Sequence, residues 1–501
     1  MLLYLNNYKN LVIPTMHTRE IIFLIVAYFL VLILISFFTS KNATNDTFFK
    51  ANNAAPWYLV AFGMIGASLS GVTFISVPGA VKANQFGYMQ MVLGYFFGYL
   101  VITYVLLPLY YKLKLTSIYS YLEDRFGKTS YQTGAIAFLI SRTIGAAFRL
   151  FLVAIVLNLL VFEPLGLNFE VAVIITIALI WVYTFKGGIK TILFTDTLQT
   201  LFMIVAVLIS IYIISKALNI NSVPEVFTYV KNNPLSKTFF IEDYKHPQFF
   251  LKSFFAGIFI TITMTGLDQD MMQKNLSCKS LKDAQKNMLW FSVVLILVNI
   301  IFLTLGLLLT DYAASLNITA SKDKLFPTIA MLPNVGKLTS AFFLLGLIAA
   351  AYSSADSALT SLTTSFSIDI LKIDRLNKKL QNRYRKLTHI GFSIVLIITI
   401  IIFKNLFTDT SVIWELFKAA GYTYGPLLGL FSFGLFTKKQ IHDKWVWLIA
   451  VISPITAYLI NYNSEKLFNG YQIGFEIILI NGLLMFGGLL AITTNKSPFK
   501  K

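Results

Sequence analysis

Three hydroxyl side chains and one carboxylate share one face of an apolar stretch near residue 355. Ser353, Asp356, Ser357 and Thr360 stand at i, i+3, i+4 and i+7, the spacing that aligns side chains along one side of a helix. Their oxygen atoms suit a hard monovalent cation such as Na⁺. Each Ser or Thr could instead bond the carbonyl four residues earlier in its own helix. That alternative does not cover Asp356, because a carboxylate inside an apolar helix needs a partner cation or a proton.

A second unusual stretch, residues 62–80, is rich in glycine and hydroxyl side chains for a helix interior. Gly63, Gly66, Gly71 and Gly79 lie within it, together with Pro78. Glycine and proline permit an unwound segment whose free carbonyls can bind a cation inside a membrane. The alternative is close helix packing through small residues. The stretch by itself leaves both explanations open.

Three charged residues lie inside other apolar stretches. Asp196 stands about one turn inside its helix, where a carboxylate can also simply favour the helix dipole. Arg142 and Arg149 are seven residues apart and therefore share a helical face. A buried arginine usually faces a cavity or a carboxylate. We expect one arginine to pair with Asp356 or Asp196 and the other to be available to an anionic substrate.

The elements that must position these residues are membrane-spanning helices. The chain of 501 residues is 56% hydrophobic and 13% charged, whereas soluble domains carry about 25% charged residues. Apolar runs long enough to cross a bilayer recur along the whole chain. The sequence predicts an all-α integral membrane protein of about 13 transmembrane helices. They are expected at roughly 20–39, 57–80, 88–111, 131–162, 168–185, 191–215, 248–272, 287–310, 338–371, 387–403, 412–436, 445–462 and 472–494.

The distribution of Lys and Arg predicts the orientation. Most of the 41 basic residues fall in alternate connections, and this explains the net charge of +18 without nucleic acid. These connections, which we expect to be cytoplasmic, are 40–56, 112–130, 186–190, 273–286, 372–386, 437–444 and the C-terminal tail. The N-terminus is therefore expected outside and the C-terminus inside the cell (plasma) membrane. The cluster in 372–386 could alternatively bind anionic lipid.

Six segments together resemble the sodium:solute symporter family, which includes the sodium/glucose, sodium/proline and sialic acid symporters. The segments are GASLSGVTF, KLKLTSIYSYLEDRFG, YTFKGGIKTILFTDTLQ, LDQDMMQKNLSCKS, AAAYSSADSALTSLTTSFSIDI and GPLLGLFSFGLF. The resemblance implies a leucine-transporter-type 5+5 inverted repeat, with a broken first helix in each repeat and a break near Gly266 in the second. It divides the chain into an N-terminal segment (1–56), two five-helix repeats (57–216 and 248–436) and a part with two peripheral helices and a tail (437–501).

The resemblance also implies where ligands bind. A Na⁺ site falls on the carbonyls of Gly66, Leu69 and Ala350 and the hydroxyls of Ser353 and Ser354. A second cation site, found in some members, falls on Asp196, Asp356 and Ser357, although Asp356 replaces the serine of the sialic acid symporter. Substrate contacts fall on Ser68, Ser70, Thr73 and Tyr88. Arg142 and Arg149 flank the position of the arginine that takes the substrate carboxylate in that symporter.

The function implied is Na⁺-coupled secondary active import of a small organic solute by alternating access. Na⁺ is the expected cofactor, and the solute and the lipid bilayer are the expected partners. A proton-coupled transporter on the same fold, with Asp356 or Asp196 as the carrier, is the first alternative. An integral membrane enzyme is the second, although the spans contain no nucleophile–base pair or catalytic histidine. The sequence leaves the solute, the stoichiometry and the oligomeric state open.

Overall fold

The structure is a computed structural model that describes residues 16–41, 48–49, 51, 54–184, 188–320, 322–407 and 411–494. Parts of the predicted N-terminal segment and of the C-terminal tail therefore lie outside the described residues. So do residues 185–187 of the motif YTFKGGIKTILFTDTLQ.

The described chain is almost entirely helical, because long apolar stretches in a bilayer must satisfy their backbone groups internally. The helices are α1 Thr18–Thr39, α2 Trp57–Ser68, α3 Gly71–Asn84, α4 Tyr88–Val101, α5 Ser120–Arg125, α6 Lys128–Leu157, α7 Phe169–Thr184, α8 Gly188–Ala217, α9 Val223–Asn232, α10 Phe250–Thr261, α11 Gln269–Leu276, α12 Leu281–Ser315, α13 Leu325–Ala330, α14 Gly336–Ser365, α15 Lys378–Leu406, α16 Val412–Thr423, α17 Gly425–Phe436, α18 Val446–Tyr462, α19 Ser464–Leu467 and α20 Ile477–Ala491. Two short strands, β1 Gln440–Ile441 and β2 Thr493–Thr494, pair antiparallel.

Several helices continue through π-helical turns. Helix α4 runs through Ile102–Leu106 into Leu107–Lys112, α6 continues into Asn158–Phe162, α10 into Ile262–Gly266, and α14 into Phe366–Ile370. With these extensions, eight helices are long and apolar enough to cross a membrane, and ten if two bent helix pairs each count as one span. These counts refer to the described residues. The chain is thus a multi-pass membrane protein.

The two bent pairs are the breaks that position the candidate site. Helices α2 and α3 meet at 56° around Leu69 and Ser70, within the glycine-rich stretch. Helices α10 and α11 meet at 68° just after Gly266, where the sequence analysis expected the second break. A broken helix leaves carbonyl and amide groups without helical partners in the membrane interior.

Three predicted boundaries differ from the structure. Residues 412–436 form two helices rather than one, because Pro426 lacks an amide hydrogen and cannot continue the hydrogen bonds of α16. Helix α15 begins at Lys378, so part of the predicted basic loop is helical. The predicted loop 273–286 contains the end of α11 and the start of α12. Its Lys274 is fully buried rather than exposed at the cytoplasmic surface.

Helix α14 forms the centre of the bundle. It packs on α8, α6, α15 and both halves of the first broken pair, and 78% of its most apolar stretch is buried. Its polar residues are therefore held inside protein rather than against lipid, as membrane proteins require.

Candidate cation and solute site

The break between α2 and α3 lies against the middle of α14. The Ser354 hydroxyl of α14 donates to the carbonyl oxygen of Ala67 in α2 at 3.4 Å. Since the last four carbonyls of a helix have no acceptor role within it, the end of α2 presents free oxygens here. Leu69, at the break, is 1% exposed, so these oxygens are sheltered from water.

Gly66 lets α2 approach two helices at once. A Cβ atom built on Gly66 would collide with Thr200 Oγ1, and it would lie 3.1 Å from Ser353 Oγ and 3.2 Å from the Asp196 carbonyl oxygen. Gly71, on the other side of the break, is similarly close to α14, because its Cβ would lie 3.8 Å from the Ala351 amide nitrogen. The structure thus brings together the segments that hold Gly66, Leu69, Ala350, Ser353 and Ser354.

Asp196 forms a buried ion pair that the sequence analysis missed. Lys274 Nζ in α11 lies 2.7 Å from Asp196 Oδ2 in α8, and neither side chain is exposed. Ser353 lies beside the same carboxylate. The expected second cation site therefore contains the positive charge of a lysine.

The other two residues of that expected site have separate partners. Asp356 accepts hydrogen bonds from the Tyr183 hydroxyl at 2.8 Å and from the Ser357 amide at 2.5 Å. The Ser357 hydroxyl instead donates to Asp270 Oδ1 at 2.7 Å. Asp196, Asp356 and Ser357 thus lie in one buried region but bind different groups.

Arg142 is neutralised by two carboxylates at the start of α11. Its guanidinium donates to Asp270 Oδ2 and lies 3.9 Å from Asp268 Oδ2. Asp268 also accepts a hydrogen bond from the Tyr424 hydroxyl at 2.5 Å. The expectation that an arginine pairs with Asp356 or Asp196 was wrong: Asp196 is paired with Lys274, and the bend before α11 brings Asp268 and Asp270 to Arg142.

Arg149 remains without a carboxylate partner in the described structure. The residue is 8% exposed, and its Nε and Nη1 atoms are buried without a hydrogen bond to any described residue. Its backbone lies at the first helix break, since a Cβ on Gly71 would be 3.7 Å from the Arg149 carbonyl oxygen. A buried guanidinium with free donors is a ready partner for an anion.

The remaining expected substrate residues line the same region. Ser70 and Thr73 are buried, and Ser68 contacts the hydroxyl of Tyr99. The Tyr88 hydroxyl lies 3.3 Å from that of Tyr95, and its ring stacks on Phe417 with 6.4 Å between the ring centroids. These hydroxyl groups and aromatic rings are therefore buried against neighbouring helices, Ser68 only in part.

A family model described as the sodium:solute symporter family matches residues 48–443. The chain belongs to the sodium:solute symporter family. This symporter is similar to the sodium/sialic acid symporter SiaT of Proteus mirabilis, with 26% identity over 89% of the chain and 90% of the relative. It is also similar to the sodium/sialic acid symporter NanT of Aliivibrio fischeri, with 26% identity over 84% and 83% of the two chains.

A solved structure of a Na⁺-coupled sialic acid symporter in an outward-open, substrate-bound state shares the fold. The TM-score is 0.77 at 19% identity, and the match covers 96% of this symporter and 99% of that chain. This chain is thus a Na⁺-coupled solute symporter of the membrane and not an enzyme.

The residues that sequence reasoning missed in this symporter lie mainly at the break of the second bent pair and in its second helix, α11. Asp268, Asp270 and Lys274 stand in a motif that carried the family resemblance, yet none was singled out. Three charged residues so close to an apolar run could have indicated a buried polar site. A straight helix would carry this motif toward the end of the span, whereas the bend keeps it buried in the bundle.

Proposed function

We propose that this symporter imports a small organic solute together with Na⁺ bound between α2 and α14. The observation that carries the proposal is the contact of Ser354 with the Ala67 carbonyl at the break in α2. The carbonyls of Gly66, Leu69 and Ala350 and the hydroxyls of Ser353 and Ser354 would hold the ion. These five neutral oxygens suit a weakly held monovalent cation, whereas Mg²⁺ would demand a hydrated, carboxylate-rich site.

Binding of Na⁺ would couple to solute binding through the position of α2. An ion shared by α2 and α14 fixes the broken helix against the centre of the bundle and so stabilises the outward-facing form. Since the Arg149 backbone lies at the same break, a fixed α2 would also fix the surroundings of Arg149, where we propose that the solute binds. Coupling of this kind is reciprocal, so the solute must raise the affinity for Na⁺. The membrane potential adds about 2.3 kcal/mol per charge per 100 mV.

We also propose thirteen transmembrane helices that include an inverted repeat. Ten spans and three shorter apolar helices, α7, α17 and α20, would together make thirteen. Each of the two proposed five-helix repeats, 57–216 and 248–436, begins with a bent pair, and this supports an inverted repeat. The first segment (1–56) would precede the repeats, and the part with two peripheral helices (437–501) would follow them. The distribution of Lys and Arg among the connections supports an N-terminus outside and a C-terminus in the cytoplasm.

An organic anion is the solute class that fits best. Arg142 is occupied by Asp270 and Asp268, which leaves the buried donors of Arg149 for a carboxylate. Ser68, Ser70, Thr73 and Tyr88 would contact the rest of the molecule. The names of the two sialic acid symporters, whose solute is a carboxylic acid, agree with this choice.

The test is a thermal-shift screen of the purified protein followed by uptake into proteoliposomes. Sugars, amino acids, carboxylates and vitamins are added with Na⁺ or with K⁺ in its place. We expect a carboxylate to stabilise the protein more in Na⁺ than in K⁺, and an inward Na⁺ gradient to drive its accumulation. Vesicles in which no Na⁺ gradient moves any stabilising solute would refute the proposal.

Asp356 favours one alternative, coupling to protons on the same fold. It is fully buried and forms no ion pair with any described residue, as a proton carrier requires. Uptake driven by a pH gradient without Na⁺, and lost in Asp356→Asn, would favour this alternative over the first proposal.

A further inference from the structure

The Lys274 ammonium lies in the region where the sequence analysis expected a second cation. Its Nζ is 2.7 Å from Asp196 Oδ2, and both side chains are shielded from solvent. The pair joins α11 of the second broken helix to α8, across 78 positions of the chain. A lysine so placed carries the same charge as Na⁺ and donates to the same carboxylate.

Helix α11 holds this ammonium in place through its neighbours. Gln273 donates to the Phe49 carbonyl at 2.7 Å and to Thr364 Oγ1 at 3.1 Å. Asn275 accepts from Asn287 of α12 at 2.7 Å. The residues on either side of Lys274 are therefore anchored to different helices, which holds in place the backbone that carries the ammonium.

Charge balance argues against a further ion on Asp196. One ammonium neutralises one carboxylate, so Asp196 itself has no remaining charge for a second cation to balance. The pair differs in this respect from a free carboxylate, which requires a cation from solution.

The remaining members of the expected site are already engaged. Both oxygens of Asp356 accept hydrogen bonds, one from Tyr183 and one from the Ser357 amide. The Ser357 hydroxyl is directed to Asp270, which also binds Arg142. Asp356 and Ser357 thus have hydrogen-bond partners other than Asp196.

We propose that the Lys274 ammonium takes the place of a second Na⁺, so that this symporter binds a single Na⁺, at the α2–α14 site. The inference rests on the proposed function, because it concerns how many ions accompany the solute. Because the Lys274 ammonium belongs to the chain, it neutralises Asp196 without an ion from solution whenever the two side chains are paired. The solute gradient is then coupled to one Na⁺.

The experiment counts Na⁺ bound to the full-length protein in nanodiscs, with radioactive Na⁺ at saturation and without transport. Four proteins are compared: wild type, Lys274→Arg, Lys274→Met and the double variant Lys274→Met/Asp196→Asn. We expect one Na⁺ per chain in the wild type and in Lys274→Arg, which keeps the charge. Lys274→Met should bind two, because it exposes Asp196 to solution cations, and the double variant should return to one.

Two bound Na⁺ per wild-type chain would overturn the inference. If Asp356→Asn then bound only one Na⁺, the extra ion of the wild type would lie beside Lys274. A count of one in well-folded Lys274→Met would overturn it as well. Should Lys274→Met not fold, the wild-type count alone still decides. A wild-type count of zero is a different failure, since it would refute the proposed Na⁺ coupling itself.

Discussion

The Ser354 hydroxyl of α14 lies 3.4 Å from the Ala67 carbonyl of α2, although 287 positions of the chain separate the two residues. This contact places hydroxyl oxygens of the central helix next to the free carbonyls of a broken one. An ion bound there would tie together two parts of the fold that must move relative to each other in an alternating-access cycle.

Removal of a hydroxyl from this contact should weaken Na⁺ binding. We expect Ser354→Ala or Ser353→Ala to raise the Na⁺ concentration for half-maximal uptake roughly tenfold, because a ligand of a charged group contributes about 1.5–3 kcal/mol. Uptake at varied Na⁺ and fixed solute measures the effect. Ser361→Ala is the matched control, since Ser361 is also buried in α14 but bonds the Ala358 carbonyl of its own helix. An unchanged Na⁺ response in both site variants would remove them from the site.

A methyl group on Gly66 should disrupt the same site from the side of α2. Its Cβ would collide with Thr200 Oγ1 and crowd Ser353. Overpacking of this kind costs about 1–3 kcal/mol, so Gly66→Ala should lower the melting temperature and abolish Na⁺-dependent stabilisation. Gly145→Ala provides the control, because its nearest neighbouring atom would be 3.8 Å away in ordinary contact. Equal melting curves of the two variants, each with and without Na⁺, would contradict the packing argument.

Substitution of the two buried arginines by alanine should have different effects on solute binding and on folding. Arg149→Ala should abolish uptake of an organic carboxylate while folding and Na⁺ binding persist, because no described carboxylate forms an ion pair with it. Arg142→Ala should instead lower the yield of folded protein, since it leaves Asp270 and Asp268 buried without a cation. Solute binding and size-exclusion profiles distinguish the two effects. Retention of carboxylate uptake in Arg149→Ala would show that the anion binds elsewhere.

Substitutions of Asp196 and Lys274 should have non-additive effects on the free energy of unfolding. In a K⁺ buffer without Na⁺, Asp196→Asn and Lys274→Met should each destabilise the protein by about 3–5 kcal/mol, because each leaves one buried charge unpaired. The double variant should lose much less, since it removes both charges. Thermal unfolding of the four proteins closes a double-mutant cycle. Additive losses would mean that the two side chains do not interact in the folded protein.

The sequence by itself determined the features that depend on local pattern. Apolar runs predicted a multi-pass helical membrane protein, and the density of glycine around Gly66 was compatible with the first helix break. The break near Gly266 was expected from the family resemblance and not from local pattern. The spacing of Ser353, Asp356 and Ser357 placed them on one helical face. These predictions succeed because helix periodicity and bilayer thickness act on neighbouring residues, whatever the rest of the fold does.

Only the tertiary structure decided which buried charges meet. From the sequence, Lys274 was expected in a cytoplasmic connection, and one of the two arginines was expected to pair with Asp356 or Asp196. Both expectations were wrong, because Lys274 is buried in α11 on Asp196 and Arg142 binds Asp270. The 68° bend before α11 sends Asp268, Asp270 and Lys274 into the bundle, and its direction depends on packing against α6, α8 and α14. Partner choice in a low-dielectric interior is a long-range property: each charge takes the nearest opposite charge in space, and spacing along the chain does not encode that distance.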